Sequence, residues 1–331
     1  MFFKEKHEKM DFKVLITRAI PGEGLVELKK YCEIIMPEKG SSFSGEEMLS
    51  FAPIVDAVIL AKAKIDEEFI KRSKKLKIIS VLGVGYDNVA MEAANQKNIF
   101  ITNNPKTVTE STAELTFGIM LALTRRIVEA DNYVRYKNDN NWHLYLLNGN
   151  ELIGKKIGII GFGRIGEAVA RRCLAFGMKV YYFDLLPKQN IKINVKALSF
   201  EKLISNMDYI TLHVPYSKGT HHLIDQKELA NMKKSAYLIN ASRGAVVNQE
   251  ALIYALKNRE IAGAGLDVFE TEPRVPKDLL KLSNVVLTPH IGTSTIETRI
   301  AMARESSRKV IQTLKGHIPD DLVNKKEIDK L

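Results

Sequence analysis

Short apolar runs of strand length alternate with stretches of helical spacing along almost the whole chain. Residues 13–17, 33–36, 56–60, 77–81 and 99–101 are rich in Val, Ile and Leu, and polar, helix-compatible sequence separates each from the next. Strands that alternate with helices in this way build a parallel sheet, because a parallel neighbour is reached only by a crossover. A second series repeats the arrangement at residues 156–160, 179–183, 209–212, 236–239, 263–267 and 285–287, the six strands that a complete dinucleotide-binding sheet requires. Between the two series, residues 110–137 carry Leu115, Ile119, Leu123 and Ile127 at helical spacing and predict one long helix crossing between domains. A last helix, around residues 295–314, follows the second sheet and is expected to return to the first domain, which is then discontinuous. The predicted fold class is α/β, with doubly wound parallel sheets and no repeat of solenoid period.

The second series opens on a phosphate-binding fingerprint. The apolar run ending at Ile160 leads into Gly161-Phe162-Gly163-Arg164-Ile165-Gly166, then an amphipathic helix over residues 167–176, Gly177, a second strand and Asp184. Gly161 permits the tight turn, Gly163 lets backbone approach a pyrophosphate, and Gly166 lets the helix pack closely on the strand. The helix N-terminus offers free N–H groups and a positive dipole to the phosphates. Asp184 takes the hydroxyls of the adenine ribose, and its carboxylate would repel a 2′-phosphate, so NAD(H) is expected over NADP(H).

Composition narrows the partners. The 331 residues suffice for two domains of ordinary size, and 45% hydrophobic with 27% charged residues is the balance of a folded globular protein rather than a disordered one. No apolar run approaches membrane-spanning length, and the charged start MFFKEKHEKMD lacks the apolar core of a signal peptide, so a cytoplasmic location and no membrane partner are expected, with translation from Met1 or Met10. Cys32 and Cys173 fit neither a disulfide framework nor a metal-ligand spacing; both read as free thiols, and no metal site is expected. The net charge of +10 raises the possibility of a nucleic-acid partner, but the lysines (Lys71, Lys74, Lys75, Lys77, Lys325, Lys326) are scattered without aromatic interleaving, so no nucleic acid is expected. A basic field suits small anionic substrates and NADH.

Three further motifs begin at C-terminal ends of predicted strands: Asn240-Ala241-Ser242-Arg243-Gly244, Leu266-Asp267-Val268-Phe269-Glu270-Thr271-Glu272-Pro273 and Thr288-Pro289-His290-Ile291-Gly292. In a doubly wound sheet that edge binds ligands, so Arg243, Glu272 and His290 are candidates to converge on the nicotinamide. Reduction of a 2-keto acid needs a cation for the carboxylate or carbonyl, a proton donor for the forming alkoxide and a hydride source. Arg243 supplies the first in a planar fork, His290 the second, and Glu272 holds the imidazole in one tautomer.

With these motifs the chain resembles the D-isomer-specific 2-hydroxyacid dehydrogenase family over almost its whole length. The likeness runs through VLGVGYDNV (81–89), STAEL (111–115), GKKIGIIGFGRIG (154–166), HVPYSKGTHHLI (213–224), NASRGAVV (240–247), GAGLDVFETEP (263–273) and TPHIGTST (288–295), and is nearest to glyoxylate, hydroxypyruvate and 2-ketogluconate reductases, whose ends Leu322-Val323-Asn324 also resembles. The resemblance implies two Rossmann-like or flavodoxin-like domains, residues 1–108 with 294–331 for substrate and residues 109–293 for NAD, with the active site in the interdomain cleft. It implies Arg243, Glu272 and His290 as catalytic residues and NADH-dependent reduction of a small 2-keto acid to the D-2-hydroxy acid. Besides the fingerprint and Asp184, it assigns Thr112, His213, Val214, Pro215, Thr220, Asn240, Ala241, Ser242, Asp267 and Gly292 to the cofactor, with Asp267 facing the carboxamide. Gly83, Val84, Gly85 and Lys62, beside Arg243 and His290, fall to the substrate. It implies a homodimer, with the Trp142-His143 segment at the contact between subunits. A phosphoglycerate dehydrogenase-like enzyme and an NADH-sensing corepressor-like protein are the alternatives.

Two departures from the family pattern matter. Asn248 stands where aspartate is common and is expected to cap the helix that follows. Lys62 and Lys64 occupy a loop where relatives often carry arginine, which favours an anionic or hydroxylated substrate tail without bidentate geometry. Of the remaining histidines, His221 and His222 read as satisfied loop residues, and His7 and His317 as surface residues; Tyr181 and Tyr182 read as core.

Overall fold

The computed structural model describes residues 11–137, 142–186 and 188–328; the candidate starts Met1 and Met10, and His7, lie outside the described residues. The chain divides into two compact units, Met1–Val108 with Thr293–Leu331, and Thr109–Gly292.

The first unit begins with β1 (Phe12–Ile16), α1 (Leu28–Tyr31), β2 (Cys32–Ile35), α2 (Gly45–Phe51), β3 (Ala57–Leu60), α3 (Glu67–Arg72), β4 (Ile78–Val81), α4 (Met91–Gln96) and β5 (Phe100–Thr102). The strands pair in parallel in the order β2-β1-β3-β4-β5, the flavodoxin-like order. Successive strand residues face opposite sides, so each strand feeds two cores. Leu15, Val58 and Leu60 pack with Met48, Phe69, Ile70 and Ala94 of α2–α4. Val14, Ile16, Ala57 and Ile59 pack with Leu25 and Leu28 and with Val310 and Leu314 of the long helix that closes the unit. Each Val, Leu, Ile, Phe or Met side chain among them contributes about 1.5–3 kcal/mol on full burial.

The second unit runs through α5 (Thr109–Thr124), α6 (Ile127–Asn132), β6 (Lys156–Ile160), α7 (Arg164–Ala175), β7 (Lys179–Phe183), β8 (Val195–Ala197), α8 (Phe200–Asn206), β9 (Tyr209–Leu212), α9 (Gln226–Asn231), β10 (Tyr237–Asn240), α10 (Gln249–Lys257), β11 (Gly263–Leu266), α11 (Lys277–Leu280) and β12 (Val285–Leu287). All pairs are parallel in the order β12-β11-β10-β9-β6-β7-β8, so the strand order reverses between β6 and β9. One face is covered by α5 and α7 through Ile119, Met120, Leu123, Val169 and Cys173. The other is covered by α8–α10 through Leu203, Leu229 and Leu252. The chain ends in α12 (Ile296–Leu314) and α13 (Lys325–Ile328). Asn248 caps α10 by accepting the Ala251 N–H. No helix among the described residues is long and apolar enough to cross a membrane.

The structure corrects two expectations. The stretch 110–137 is not one helix: α5 stops at Thr124, Arg126 takes left-handed backbone (φ 53°), and α6 is followed by a π-turn, Tyr133–Lys137. The cause is tertiary, because the Thr124 carbonyl accepts the N–H of Asn150 at 2.9 Å from a distant loop. The second sheet has seven strands, not six, since β8 pairs with the outer side of β7. Its three residues, Val-Lys-Ala, are only partly covered and carry too little apolar sequence to announce an edge strand.

Both cysteines are free and buried; burial pushes the Cys32 thiol up to about 11 and the Cys173 thiol to about 12, so neither is a ready nucleophile. Lys309 of α12 is fully buried, its ammonium 3.0 Å from Glu305 and 3.1 Å from Asp321. It also donates to the Asn103 carbonyl. Lys309→Met leaves two carboxylates without their cation and should lower unfolding free energy by about 3 kcal/mol in urea titration; an unchanged midpoint would show the cluster to be neutral.

His213, just after β9, gives a pH signature. Among the described residues its imidazole bonds only Thr211 Oγ1 (2.9 Å), and burial pushes it from 6.5 down to about 3. The unfolded chain therefore binds this proton first, so stability is unaffected above 6.5 and declines as pH falls toward about 3. The decline from this group approaches about 1.4 kcal/mol per pH unit. His213→Gln should remove that part of the slope, as the difference between variant and parent denaturation curves across the same window will reveal.

Candidate active site

The nucleotide end of the second unit lies at the reversal of strand order, where ligands bind in such sheets. Gly161 follows β6 with φ 90°, and a Cβ there would stand 2.6 Å from the His213 carbonyl oxygen. A Cβ on Gly166 would stand 2.3 Å from the Gly161 oxygen, whereas one on Gly163 would meet nothing within 4 Å. The turn is thus closed on its protein side and open where a pyrophosphate would lie. Gly163 begins α7 without a side-chain cap, so the first-turn N–H groups have no side-chain acceptor. Arg164 is exposed, Ile165 is half-buried, and the Phe162 ring stacks on Tyr182 at 4.3 Å between centroids, which leaves only the backbone of Phe162 toward the turn.

Asp184 closes this end. One carboxylate oxygen accepts the Phe162 N–H (2.8 Å) and the other the Leu186 N–H (3.0 Å), with Lys188 Nζ at 3.1 Å. Burial alone would raise this carboxyl, but the N–H of Leu186, Lys188 and the N–H of Phe162 outweigh it and hold the group below its ordinary value. Beyond β9, Val214 is half-buried and Pro215 exposed. Thr220 is buried and donates to the Pro215 carbonyl (2.7 Å), so its hydroxyl serves the loop first. The open face at Gly163, the uncapped helix and the ionised carboxylate after β7 fit a dinucleotide.

The three remaining motifs follow the neighbouring strands β10, β11 and β12. Asn240, buried at the end of β10, accepts the Ser242 N–H (3.0 Å) and hydroxyl (2.8 Å) and donates to the Arg243 carbonyl (2.9 Å), which pins the backbone of Ala241, Ser242 and Arg243. One Arg243 guanidinium nitrogen donates to the Ser242 carbonyl at 2.8 Å. The next residue, Gly244, lies flat on the loop after β11: a Cβ there would be 1.9 Å from the Phe269 carbonyl carbon. Only glycine lets the two loops approach so closely.

After β11, Asp267 is 1% exposed and accepts the Thr288 hydroxyl (2.6 Å) and the N–H groups of Ile291 (2.8 Å) and Gly292 (2.9 Å). These bonds lock the turn after β12, in which His290 is held at φ 53°, a costly conformation for a non-glycine residue. His290 Nδ1 meets Glu272 Oε2 at 2.7 Å, and the other Glu272 oxygen accepts the Phe269 N–H at 3.1 Å. A histidine oriented by a carboxylate, with about a third of its side chain exposed, is equipped to move a proton. Thr112 of α5 is buried beside Gly292, with its Oγ1 3.6 Å from where a Gly292 Cβ would stand.

In the first unit, Lys62 follows β3 with φ 47°, and Gly83, Val84 and Gly85 follow β4. Asn104 donates its N–H to the Gly83 carbonyl (2.7 Å) and Asn103 its amide to the Val84 carbonyl (2.7 Å), and the buried Lys309 in turn holds Asn103. Sequence reasoning passed over these braces and over Thr288. It also passed over a second histidine–carboxylate pair, His222 Nε2 to Glu270 at 2.7 Å, whose carboxylate also accepts the Gln249 N–H. Thr288, His222 and Glu270 stand within recognisable motifs, but nothing in linear sequence says which of them meet.

Residues 117–292 match the D-isomer specific 2-hydroxyacid dehydrogenase, NAD binding domain. A glyoxylate reductase from Thermococcus litoralis is 46% identical over 320 residues, covering 95% of this chain and 97% of its own. Among solved structures, the TT0316 protein of Thermus thermophilus superposes with a TM-score of 0.88 at 39% identity, covering 94% of this chain and 100% of its own. An NADPH-dependent glyoxylate/hydroxypyruvate reductase from Sinorhizobium meliloti, crystallised with NADP and malonate, superposes with a TM-score of 0.82 at 28% identity over 94% of this chain and 96% of its own. Residues, topology and relatives agree: the chain belongs to the D-isomer-specific 2-hydroxyacid dehydrogenase family and is a nicotinamide-dependent oxidoreductase.

Proposed function

We propose that the chain reduces a small 2-keto acid, glyoxylate or hydroxypyruvate first and 2-ketogluconate next, to the D-2-hydroxy acid with NADH as preferred donor. The observation that carries this reading is the 2.7 Å pairing of His290 Nδ1 with Glu272 at the end of neighbouring strands, one strand from Arg243. NADH, when bound, supplies the hydride. Residues 161–166 and the first turn of α7 would hold the pyrophosphate, Asp184 the adenine ribose, and His213, Val214, Pro215 and Thr220 the adenosine side. Thr112, Asn240, Ala241, Ser242, Asp267 and Gly292 would line the nicotinamide end. A carboxylate has about four acceptor sites, so Asp267, with three taken, keeps one for the carboxamide.

The backbone N–H groups around Gly83, Val84 and Gly85 would receive the substrate carboxylate, Lys62 its tail, and Arg243 the keto oxygen. An ionised Glu272 keeps the shared proton on Nδ1, so Nε2 of His290 delivers a proton to the oxygen as it becomes an alkoxide. Placing the cation and the proton donor on fixed strand ends lets both act where charge develops, without rearranging during the reaction. A D-3-phosphoglycerate dehydrogenase-like role and an NADH-sensing role predict different behaviour in the same assay.

His290→Gln should lower kcat about 10²- to 10⁴-fold while NADH still binds; turnover within a few-fold of the parent would remove the acid assignment. Loss of NADH absorbance with glyoxylate, hydroxypyruvate, 2-ketogluconate and 3-phosphohydroxypyruvate discriminates the readings. The fastest reduction is expected with one of the first two, and cofactor binding without turnover on any would favour a sensor.

The same proposal includes a cytoplasmic homodimer. Tyr136 is 80% exposed, Trp142 73%, Leu144 91% and Tyr145 82%, four large apolar side chains close in sequence that a partner subunit would cover. Leu144→Glu combined with Tyr145→Glu should convert a sedimenting dimer to single chains; a parent that sediments as a monomer would refute the assignment.

A further inference from the structure

Resting on the reading that N–H groups after β4 receive the substrate carboxylate, we infer that Asn103 is the positioning residue of that cradle. Strands β4 and β5 lie side by side with Ser80 opposite Thr102, so the loops that leave them run together. The chain just past β5 therefore braces the chain just past β4. Asn103 donates its side-chain amide to the Val84 carbonyl at 2.7 Å, and Asn104 donates its backbone N–H to the Gly83 carbonyl at 2.7 Å. Each carbonyl shares a peptide plane with a donor of the cradle: Gly83 C=O with the Val84 N–H, and Val84 C=O with the Gly85 N–H. Both peptide bonds are trans, so the N–H points away from the C=O. Holding the two carbonyls thus fixes where both N–H groups point. Among the described residues neither N–H donates to a protein acceptor, which leaves both for an anion.

Val84 stands between two glycines, whose wide backbone freedom would otherwise let these planes rotate. The braces are themselves anchored. Asn104 is fully buried, and its side-chain amide donates to the Met302 carbonyl (2.9 Å) and to Ser306 Oγ (3.2 Å), both on α12. Further along that helix, Lys309 donates to the Asn103 carbonyl while Glu305 and Asp321 hold its ammonium. The Asn103 amide is the last link. Its side chain is half-buried and reaches the cradle through one bond, so changing it leaves the buried cluster behind it in place. Donors aligned before the substrate arrives lose little freedom on binding it, which adds to affinity and not to the chemical step.

Steady-state kinetics with glyoxylate and hydroxypyruvate, and calorimetric titration of the NADH-saturated full chain with oxamate, an unreactive analogue, test this. Asn103→Leu keeps the volume and removes the donor. It should raise KM and weaken oxamate about tenfold, with kcat and NADH affinity within about twofold of the parent. Asn103→Ala should behave alike, since the bond matters and the bulk does not. If Asn103→Leu leaves KM and oxamate affinity unmoved, the amide does not position the cradle and the inference falls. It falls equally if NADH and oxamate weaken together, the mark of a loosened fold, or if kcat alone drops. A parent chain that, with NADH bound, neither takes oxamate nor reduces either keto acid overturns the carboxylate site itself, an outcome distinct from a normal parent with an indifferent Asn103.

Discussion

Parallel pairing constrains everything else in this protein. Every strand in both sheets runs beside a parallel neighbour, so each must be followed by a crossover, and the loops that leave the strands gather at one edge of each sheet. In the second unit that edge receives, in spatial order, the loops after β12, β11, β10, β9, β6 and β7, which bear His290, Glu272, Arg243, His213, the glycine turn and Asp184. Residues remote in sequence become neighbours because their strands are. The first unit obeys the same rule with Lys62 and Gly83–Gly85 after β3 and β4.

Placement at an edge does not yet orient a side chain, and buried polar groups supply the orientation. Asp267 is the clearest case: a carboxylate almost without solvent contact is tolerable only when its acceptor sites are filled, and the groups filling them belong to the turn that carries His290. The left-handed backbone of His290 is thereby over-determined, and its ring meets Glu272. Asn240 does the same for Arg243, and the flat contact of Gly244 on Phe269 joins the two loops. In the first unit the buried ammonium of Lys309 braces Asn103, which holds the Val84 carbonyl.

The nucleotide end has a different balance. Its turn is shaped by steric exclusion at Gly161 and Gly166, while its charge is set by Asp184 and Lys188 together. The Lys188 ammonium, 3.1 Å from the Asp184 carboxylate, offsets part of the negative charge at this end.

Much of this was legible in the residues themselves. Strand runs, the GxGxxG turn with Asp184 after the second strand, and the motifs around Arg243, Glu272 and His290 are local signals, because periodicity and turn chemistry act over a few residues. Asn248 as a helix cap belongs to the same class. The sequence by itself thus determined the α/β class, the dinucleotide turn and the chemical types of the site residues. What it could not reach depends on partners far along the chain: the end of α5 at Thr124, imposed by Asn150; the edge strand β8, stabilised by β7 rather than by its own apolarity; and the burial of Lys309, whose helical position looks solvent-facing until Glu305, Asp321 and Asn103 surround it. Those features, and the pairings Asp267–Thr288, His222–Glu270 and Asp184–Lys188, were decided only by tertiary structure, because a hydrogen bond or ion pair between loops exists only once the strands have brought those loops together.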